Sequence, residues 1–192
     1  MKSQIKRSIK FSLSIAVITF VLAAIFSVIS SSILSGVTWI IGLIIVLIII
    51  LIGVLFDMLG IASTAADEKP FHAMAAEKVN GAKEAVYIVR NADRFASFCN
   101  DVIGDISGIV SGTASAIVVL QIAALVNSPE GSPGQIALST LLTSIVAALT
   151  VGGKAIGKTF AINSTTKIIF FVGKVLYLLE NKLKLKIISK KN

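Results

Sequence analysis

Long uncharged runs, interrupted by one charged segment, dominate the pattern of the chain. The first run extends from Phe11 to Phe56 without an Asp, Glu, Lys or Arg. A membrane-spanning helix needs about 20 apolar residues, so this run is long enough for two spans. The pattern predicts helices at Phe11–Ile29 and Ser35–Phe56, with the polar stretch Ser30–Gly36 as the turn between them.

The C-terminal half contains two further uncharged runs. One extends from Ile106 to Pro129 and the other from Gly131 to Gly153. The stretch NSPEGSPG (127–134), where the two runs meet, is rich in Gly, Pro and Ser, which is typical of a short turn. The whole pattern therefore predicts an all-α integral membrane protein with about four transmembrane helices.

Composition agrees with a membrane protein. Hydrophobic residues make up 55% of the 192 residues and charged residues 15%, and the mean hydropathy is +0.92. Soluble domains carry about a quarter charged residues, so this much apolar surface is not expected in a small soluble core. The single cysteine, Cys99, cannot form a disulfide within the chain and is expected to be a small apolar residue.

The basic residues predict the topology. They occur at the N-terminus, between spans two and three, and in the tail from Lys154, whereas the other two connections contain none. Basic residues favour the cytoplasmic side, so we expect a multi-pass protein of the cell (inner) membrane with both termini cytoplasmic. The net charge of +8 then reflects topology and contact with the lipid surface, and no nucleic-acid partner is expected. A cleaved signal peptide is the alternative for span one, but its apolar stretch is long and no A-x-A site follows.

Two charged segments flank the spans. The segment from Asp67 to Phe98 predicts two short cytoplasmic helices that are broken near Asn80–Gly81, with Pro70 in the first turn. His72, the only histidine, is expected at the surface rather than on a metal. In the tail, one helical face collects five apolar residues and another carries lysines, which predicts an interfacial helix on anionic lipid. The apolar residues are Ile168, Phe171, Val172, Val175 and Leu179.

The third span carries the candidate chemistry. Asp101 and Asp105 lie at its start, where an unsatisfied carboxylate costs several kcal/mol and is therefore often functional. Clusters of Asp, Asn and Ser oxygens suit a hard cation such as Mg²⁺, and Ser107 and Ser111 can line its path. Small residues at Gly104, Gly108 and Gly112 also favour close packing between membrane helices. The sequence contains no legible catalytic arrangement, so no enzyme is expected.

A phosphate-binding motif has a weaker case. Gly152, Gly157, Lys158 and Thr159 fit G-x-x-x-x-G-K-[ST]. A working loop of that kind follows a strand and requires an acidic residue on a second strand, whereas Gly152 follows an apolar run long enough to be a span. We therefore expect no nucleotide, and interpret these residues as the inner end of the fourth span.

Two stretches carry a resemblance to a known family. "NGAKEAVYIVRNADRFASFCNDVIGDISGIVSG" contains a Gly-Ala-Lys helix and an Asn-x-x-Arg-Phe turn, matched by Asn91, Arg94 and Phe95, before a Gly- and Ser-rich span. "GKAIGKTFAINSTTKIIFFVGKVLYLLE" is similar to a Gly-Glu-x-x-Pro-Lys segment and its following helix. From roughly Val37 to Glu180 the chain thus resembles the membrane domain of the cyclin M (CNNM)/CorB/CorC magnesium and cobalt transporters, without their CBS pair.

The resemblance implies three core spans, a homodimer and divalent-cation transport. It implies metal ligands near Ser63, where the family has Ser-Glu-Thr, and at Asn100, Asp101, Gly104 or Asp105. The family's ligand glutamate, however, matches Lys154. The domains are then an extra transmembrane anchor (1–34), a transmembrane core (35–160) with a cytoplasmic helical loop (58–100), and an amphipathic helix with a basic tail (161–192).

Two functions stay open at this point. The first is a divalent-cation transporter or exporter of the Mg²⁺ or Co²⁺ type, with Asn100, Asp101 and Asp105 as oxygen ligands and Mg²⁺ as the transported ion rather than a cofactor. The second is a non-transporting scaffold or regulator on the same fold. Lys154 favours the second, because its ammonium near Asp105 can occupy the site as a tethered cation.

Overall fold

The protein is an all-α membrane protein. The computed structural model describes residues 2–127, 129 and 131–183, with side chains from residue 9 to residue 182, and it contains no strand in these ranges. Four of the described helices are long and apolar enough to cross a membrane. The basic tail from Lys184 lies outside the described residues. The helices are α1 (Lys2–Ser35), α2 (Trp39–Ala65), α3 (Lys69–Ala76), α4 (Ala82–Arg90), α5 (Ala92–Ser97), a π-helical segment (Phe98–Gly104), α6 (Asp105–Leu125), α7 (Pro133–Asn163) and α8 (Thr165–Leu183).

The chain folds into two compact units, which we call unit 1 and unit 2. Unit 1 comprises Met1–Leu55 and Asp101–Lys154, and unit 2 comprises Phe56–Asn100 and Ala155–Asn192. Unit 1 contains most of the spanning residues. Unit 2 contains α3, α4, α5 and α8 together with the adjoining ends of α2 and α7.

The predicted turn at Ser30–Gly36 was wrong, because α1 continues to Ser35. Leu34 is fully buried, and the Ser35 hydroxyl donates a 3.0 Å hydrogen bond to the Ser32 carbonyl of its own helix. Serines that bond to their own helix in this way are compatible with an apolar span. The connection to α2 is consequently only a few residues long.

The side chain of Gln121 in α6 is hydrogen-bonded to the α1–α2 connection in unit 1. Its amide nitrogen donates to the Leu34 carbonyl at 2.8 Å and to the Val37 carbonyl at 3.1 Å. Carbonyls at the end of a helix have no partner within the helix, so these bonds satisfy groups that would otherwise be exposed to hydrocarbon. The nearby core contains Leu34, Val46, Ile50, Ala114, Val118 and Val146.

The third and fourth spans are both longer than predicted. The third is helical from Ala92 to Leu125 through the π segment, and the fourth extends to Asn163 without stopping at Gly152 or Gly153. Isolated Gly weakens a helix by only about 1 kcal/mol, which neighbouring apolar residues can offset. The charged residues Asp101 and Asp105 therefore lie within a continuous helix rather than before one.

The break predicted near Asn80–Gly81 is confirmed, since α3 ends at Ala76 and α4 begins at Ala82. Gly81 has φ +92°, a conformation that a residue with a Cβ rarely adopts. It lies against α8, where a Cβ at Gly173 would come within 2.3 Å of the Gly81 carbonyl oxygen. Because Gly81 and Gly173 have no side chains, the backbones of α4 and α8 can contact each other where the helices cross.

The core of unit 2 explains the orientation of α8. Ile169 and Gly173 are buried and Leu176 is partly buried, so these residues face α4 and the core. The predicted apolar face is divided. Ile168 and Val172 pack against the core, whereas Phe171 is 67% exposed and Leu179 41%. Helix α8 therefore has one packed face and one apolar face that is open on the surface of this unit. The buried core residues are Ala62, Phe71, Ala85, Val86, Ile88, Ala161 and Ile169.

Candidate functional site

An ion pair between α6 and α7 is the centre of the candidate site in unit 1. The Lys154 ammonium lies 3.7 Å from Oδ1 of Asp105, and the two side chains are 26% and 65% exposed. Lys154 reaches this position because α7 remains helical through Gly152 and Gly153. Asp105 is the first residue of α6, directly after the π segment. A positive charge therefore already occupies one side of the carboxylate that the sequence suggested as a metal ligand.

The serines of α6 line packed surfaces. Ser107 and Ser111 are 8% and 1% exposed, and their hydroxyls donate to the carbonyls of Ile103 (2.8 Å) and Gly108 (3.0 Å). A serine hydroxyl that donates to its own helix can still accept a hydrogen bond or coordinate a cation through its lone pairs. Asp101, in contrast, is an exposed residue of the π segment.

The glycines of α6 do not make the close helix contact that their spacing predicted. Nothing lies within 4 Å of the position of a Cβ at Gly108 or Gly112. They border a cavity of about 270 Å³ between α6 and α7 that Thr143 and Thr150 also line. Ser111 and Ser115 line the same cavity, so the small residues of α6 leave a gap towards α7 rather than a tight contact.

Asn100 and Ser63 belong to unit 2. Oδ1 of Asn100 is buried and has no hydrogen-bond partner. It lies so close to α2 that a Cβ at Gly60 would come within 2.0 Å of it, so a larger residue there would displace the Asn100 amide. One turn further along α2, Ser63 is 1% exposed and donates 2.7 Å to the Gly60 carbonyl. An unsatisfied amide oxygen is costly to bury, and it is a suitable ligand for a hard cation.

The candidate residues are thus divided between the two units. Unit 1 holds Asp101, Asp105, Ser107, Ser111 and Lys154, and unit 2 holds Asn100 and Ser63. Within the described part of the chain, no group of three or more His, Cys, Asp or Glu side chains could hold a metal ion. The carboxylate of Asp105 is paired with an ammonium rather than with further carboxylates.

The motif residues of the resemblance have mixed outcomes. Asn91 alone forms a junction, between α4 and α5, while Arg94 and Phe95 lie inside α5, so the implied five-residue turn is shorter than expected. The Asn91 carbonyl accepts the backbone N–H groups of Arg94 and Phe95. Residues Gly152–Thr159 are helical throughout, whereas a phosphate-binding loop would require a loop before its helix.

A surface trio in unit 2 includes the single histidine. Glu68 accepts hydrogen bonds from His72, at 2.9 Å, and from the Arg90 guanidinium. The His72 hydrogen bond, and next the Arg90 hydrogen bond, hold the pKa of Glu68 below its ordinary value of 4.5. The expectation that His72 lies at the surface is confirmed, since its side chain is 48% exposed.

Sequence reasoning missed three features. The π segment begins at Phe98, and π-helical turns are frequent at functional sites, but no residue pattern announces one. Gln121 was overlooked, although a polar residue in an otherwise apolar run is a signal that could have found it. Ser30 was assigned to a turn and not to the buried surface of a span.

Comparison with known proteins gives no relative. No family model matches the chain, and neither the curated proteins nor the solved structures contain a match.

Proposed function

We propose that this chain is a non-transporting membrane scaffold or regulator whose metal site is degenerate. The observation that carries the proposal is the 3.7 Å approach of the Lys154 ammonium to Asp105. Lysine is a compact point charge on a flexible stem, so it can neutralise the carboxylate as a bound cation would. Because it is covalently attached to α7, it cannot leave as a transported ion must.

Competition explains why a divalent cation should not bind beside this pair. Mg²⁺ prefers six oxygen ligands in a near-octahedral shell and usually needs one or two carboxylates. At Asp105 the carboxylate is already neutralised, and an approaching Mg²⁺ would be repelled by the ammonium. The same pairing supports a structural role, because it links α6 to α7 near the edge of the hydrocarbon.

The resemblance to the cyclin M (CNNM)/CorB/CorC transporters belongs to this proposal. Under it, the chain uses a similar membrane scaffold but has Lys154 where the family holds a ligand glutamate. That exchange reverses the charge at the ligand position. It supports a lost transport activity rather than an altered ion preference.

Location and assembly are further parts of the proposal. We infer an inner-membrane protein with both termini and the α3–α5 segment in the cytoplasm, because the basic residues cluster in those segments. The open apolar face of α8, next to Lys167 and Lys174, would then lie on the cytoplasmic lipid surface. A homodimer is the expected assembly, with membrane-embedded helices as its interface.

Flux measurements test the proposal. The full chain would be reconstituted into liposomes that contain a Mg²⁺-sensitive dye, as wild type, Asp105→Asn and Lys154→Glu. We expect wild type and Asp105→Asn to match protein-free liposomes. Flux in Lys154→Glu alone would identify the lysine as the block, whereas wild-type flux that Asp105→Asn abolishes would contradict the proposal.

Cation transport is the second candidate, and one observation favours it. Oδ1 of Asn100 is buried without a hydrogen-bond partner, and an amide oxygen can coordinate a cation. If Asn100 binds a transported cation, Asn100→Leu should abolish a wild-type flux that Asp101→Asn leaves unchanged. Absence of any wild-type flux would remove this candidate.

A further inference from the structure

Unit 1 contains an apolar cavity with one unpartnered polar group. The cavity has a volume of about 240 Å³ and lies between α1, α2 and α6. Isoleucines form most of its wall, and its two polar residues are Ser30 and Ser107. Ser107 is satisfied by the Ile103 carbonyl, but the hydroxyl of Ser30, a residue only 8% exposed, has no hydrogen-bond partner. A buried unsatisfied hydroxyl is unfavourable, so the cavity offers a hydrogen bond to an occupant.

The depth of Ser30 in the membrane indicates what this occupant can be. The uncharged part of α1, residues 11–35, is about 38 Å long at 1.5 Å per residue. That length is close to the thickness of a bilayer with its headgroup regions, which together measure about 40–45 Å. Ser30 lies five residues before the end of the span, or about 7.5 Å along the helix axis. It is therefore level with the boundary between headgroups and hydrocarbon.

The cavity extends from this boundary into the hydrocarbon. Along α2 it is lined from Ile45 to Ile52, a distance of about 10 Å. Trp39 begins α2 at the boundary end, so Ile52 is the deeper of the two residues. The cavity is thus a slot with a hydroxyl near its shallow end and aliphatic walls below.

Three other occupants do not fit the slot. Ordered water needs two to four polar partners, and Ser30 offers only one. A helix of a second copy is about 10 Å wide, which exceeds a 240 Å³ cavity of this length. A charged solute would find no counter-charge among the lining residues.

We propose that the slot binds one acyl chain of a membrane phospholipid, whose ester carbonyl accepts a hydrogen bond from the Ser30 hydroxyl. The chain fills the isoleucine-lined part, while the headgroup stays in the leaflet at the α1–α2 connection. This inference is independent of whether the protein transports a cation.

Photo-crosslinking of the full chain tests the site without any variant. The protein would be reconstituted with phosphatidylcholine that carries a diazirine midway along one acyl chain, and adducts would be mapped by peptide mass spectrometry. We expect adducts to concentrate on cavity-lining residues such as Phe26 and Ile49. Adducts spread in proportion to lipid exposure, for example on Ile48 as strongly as on Ile49, would overturn the proposal.

Matched substitutions separate the cavity from the surrounding surface. Ile49→Trp fills the slot and should lower the yield of cavity adducts about tenfold, whereas Ile48→Trp, at a position that is 51% exposed, should leave it unchanged. Ser30→Ala should weaken lipid retention in detergent about fivefold, as expected for one lost hydrogen bond, and the exposed Ser31→Ala should not. Wild-type retention in Ser30→Ala would remove the hydroxyl from the site, and wild-type adducts in Ile49→Trp would overturn the slot.

Discussion

Lys154 and Asp105 show how one side chain can alter a membrane site. A carboxylate at the edge of hydrocarbon needs a partner, and the ammonium at 3.7 Å is one. The long lysine stem allows the charge to lie near the membrane surface while the helix remains apolar. The sequence suggested an ammonium beside Asp105, and the structure has the two groups in contact.

Glu68 should make the stability of the protein pH-dependent. Its pKa is lowered in the folded state by the hydrogen bonds from His72 and Arg90, so its contribution is fully present above its ordinary pKa of 4.5. The contribution is lost as the pH falls through the lowered pKa. Thermal unfolding of detergent-solubilised wild type and Glu68→Gln, followed from pH 7 to pH 3, should show wild type more stable at neutral pH and equal to the variant at the acid end.

The exposure of the Glu68 trio determines the size of this effect. Solvent screens this surface trio, so the difference between wild type and Glu68→Gln should be small. Glu77→Gln, at the exposed residue that follows α3, is a suitable control. A difference between wild type and Glu68→Gln that grows as the pH falls would contradict the assigned hydrogen bonds.

Helix α8 illustrates how one element can serve two surfaces. The face with Ile169 and Gly173 packs on α4, and the face with Phe171 stays open on the surface of unit 2. The contact with α4 is possible because neither Gly81 nor Gly173 has a Cβ. Such a close approach tolerates little added volume.

Gly173→Ala should therefore destabilise the protein. The added Cβ would lie 2.3 Å from the Gly81 carbonyl oxygen, and overpacking of this kind costs about 1–3 kcal/mol. For a chain of this size, that corresponds to a fall of roughly 2–4 °C in Tm for each kcal/mol. Gly152→Ala is the matched control, because nothing lies within 4 Å of its Cβ position and Ala is the better helix former. Equal Tm values for Gly173→Ala and Gly152→Ala would contradict the close crossing.

Helix boundaries were predictable where they depend on local backbone conformation, and less predictable where they depend on packing between helices. The break between α3 and α4 was predictable, because Gly81 adopts a left-handed backbone conformation that glycine tolerates best. The end of α1 was misjudged because Leu34 burial and the Gln121 bonds, which are non-local, keep Ser30–Ser35 helical. The π segment at Phe98–Gly104 has no hydrophobic periodicity of its own by which the sequence could have revealed it.

Charged residues are distributed unevenly along the chain. Basic residues flank the spans at the N-terminus, in α3–α5 and around α8, whereas the α1–α2 and α6–α7 connections have none. The four spans were predictable because apolar length is a property of the sequence alone. The division of the candidate ligands between two units was not, because it depends on where α2 and the third span are packed.

Cysteine accessibility tests the proposed orientation. In a Cys99→Ala background, Val126→Cys should react with a membrane-impermeant maleimide in intact cells, because α6 ends there and the position is 65% exposed. Glu77→Cys, in the exposed turn after α3, should react only after the cells are permeabilised. The reverse pattern would contradict the assignment of both termini to the cytoplasm.

Metal-dependent thermal stability tests most directly whether Lys154 replaces a bound cation. Detergent-solubilised wild type, Lys154→Gln and Lys154→Gln with Asp105→Asn would be unfolded over a Mg²⁺ titration. A ligand at 100 times its Kd stabilises the folded state by about 2.7 kcal/mol, which is well within detection. We predict no Mg²⁺-dependent rise in the wild-type Tm, and a rise in Lys154→Gln that the added Asp105→Asn removes. A wild-type rise that Asp105→Asn abolishes would contradict the degenerate site.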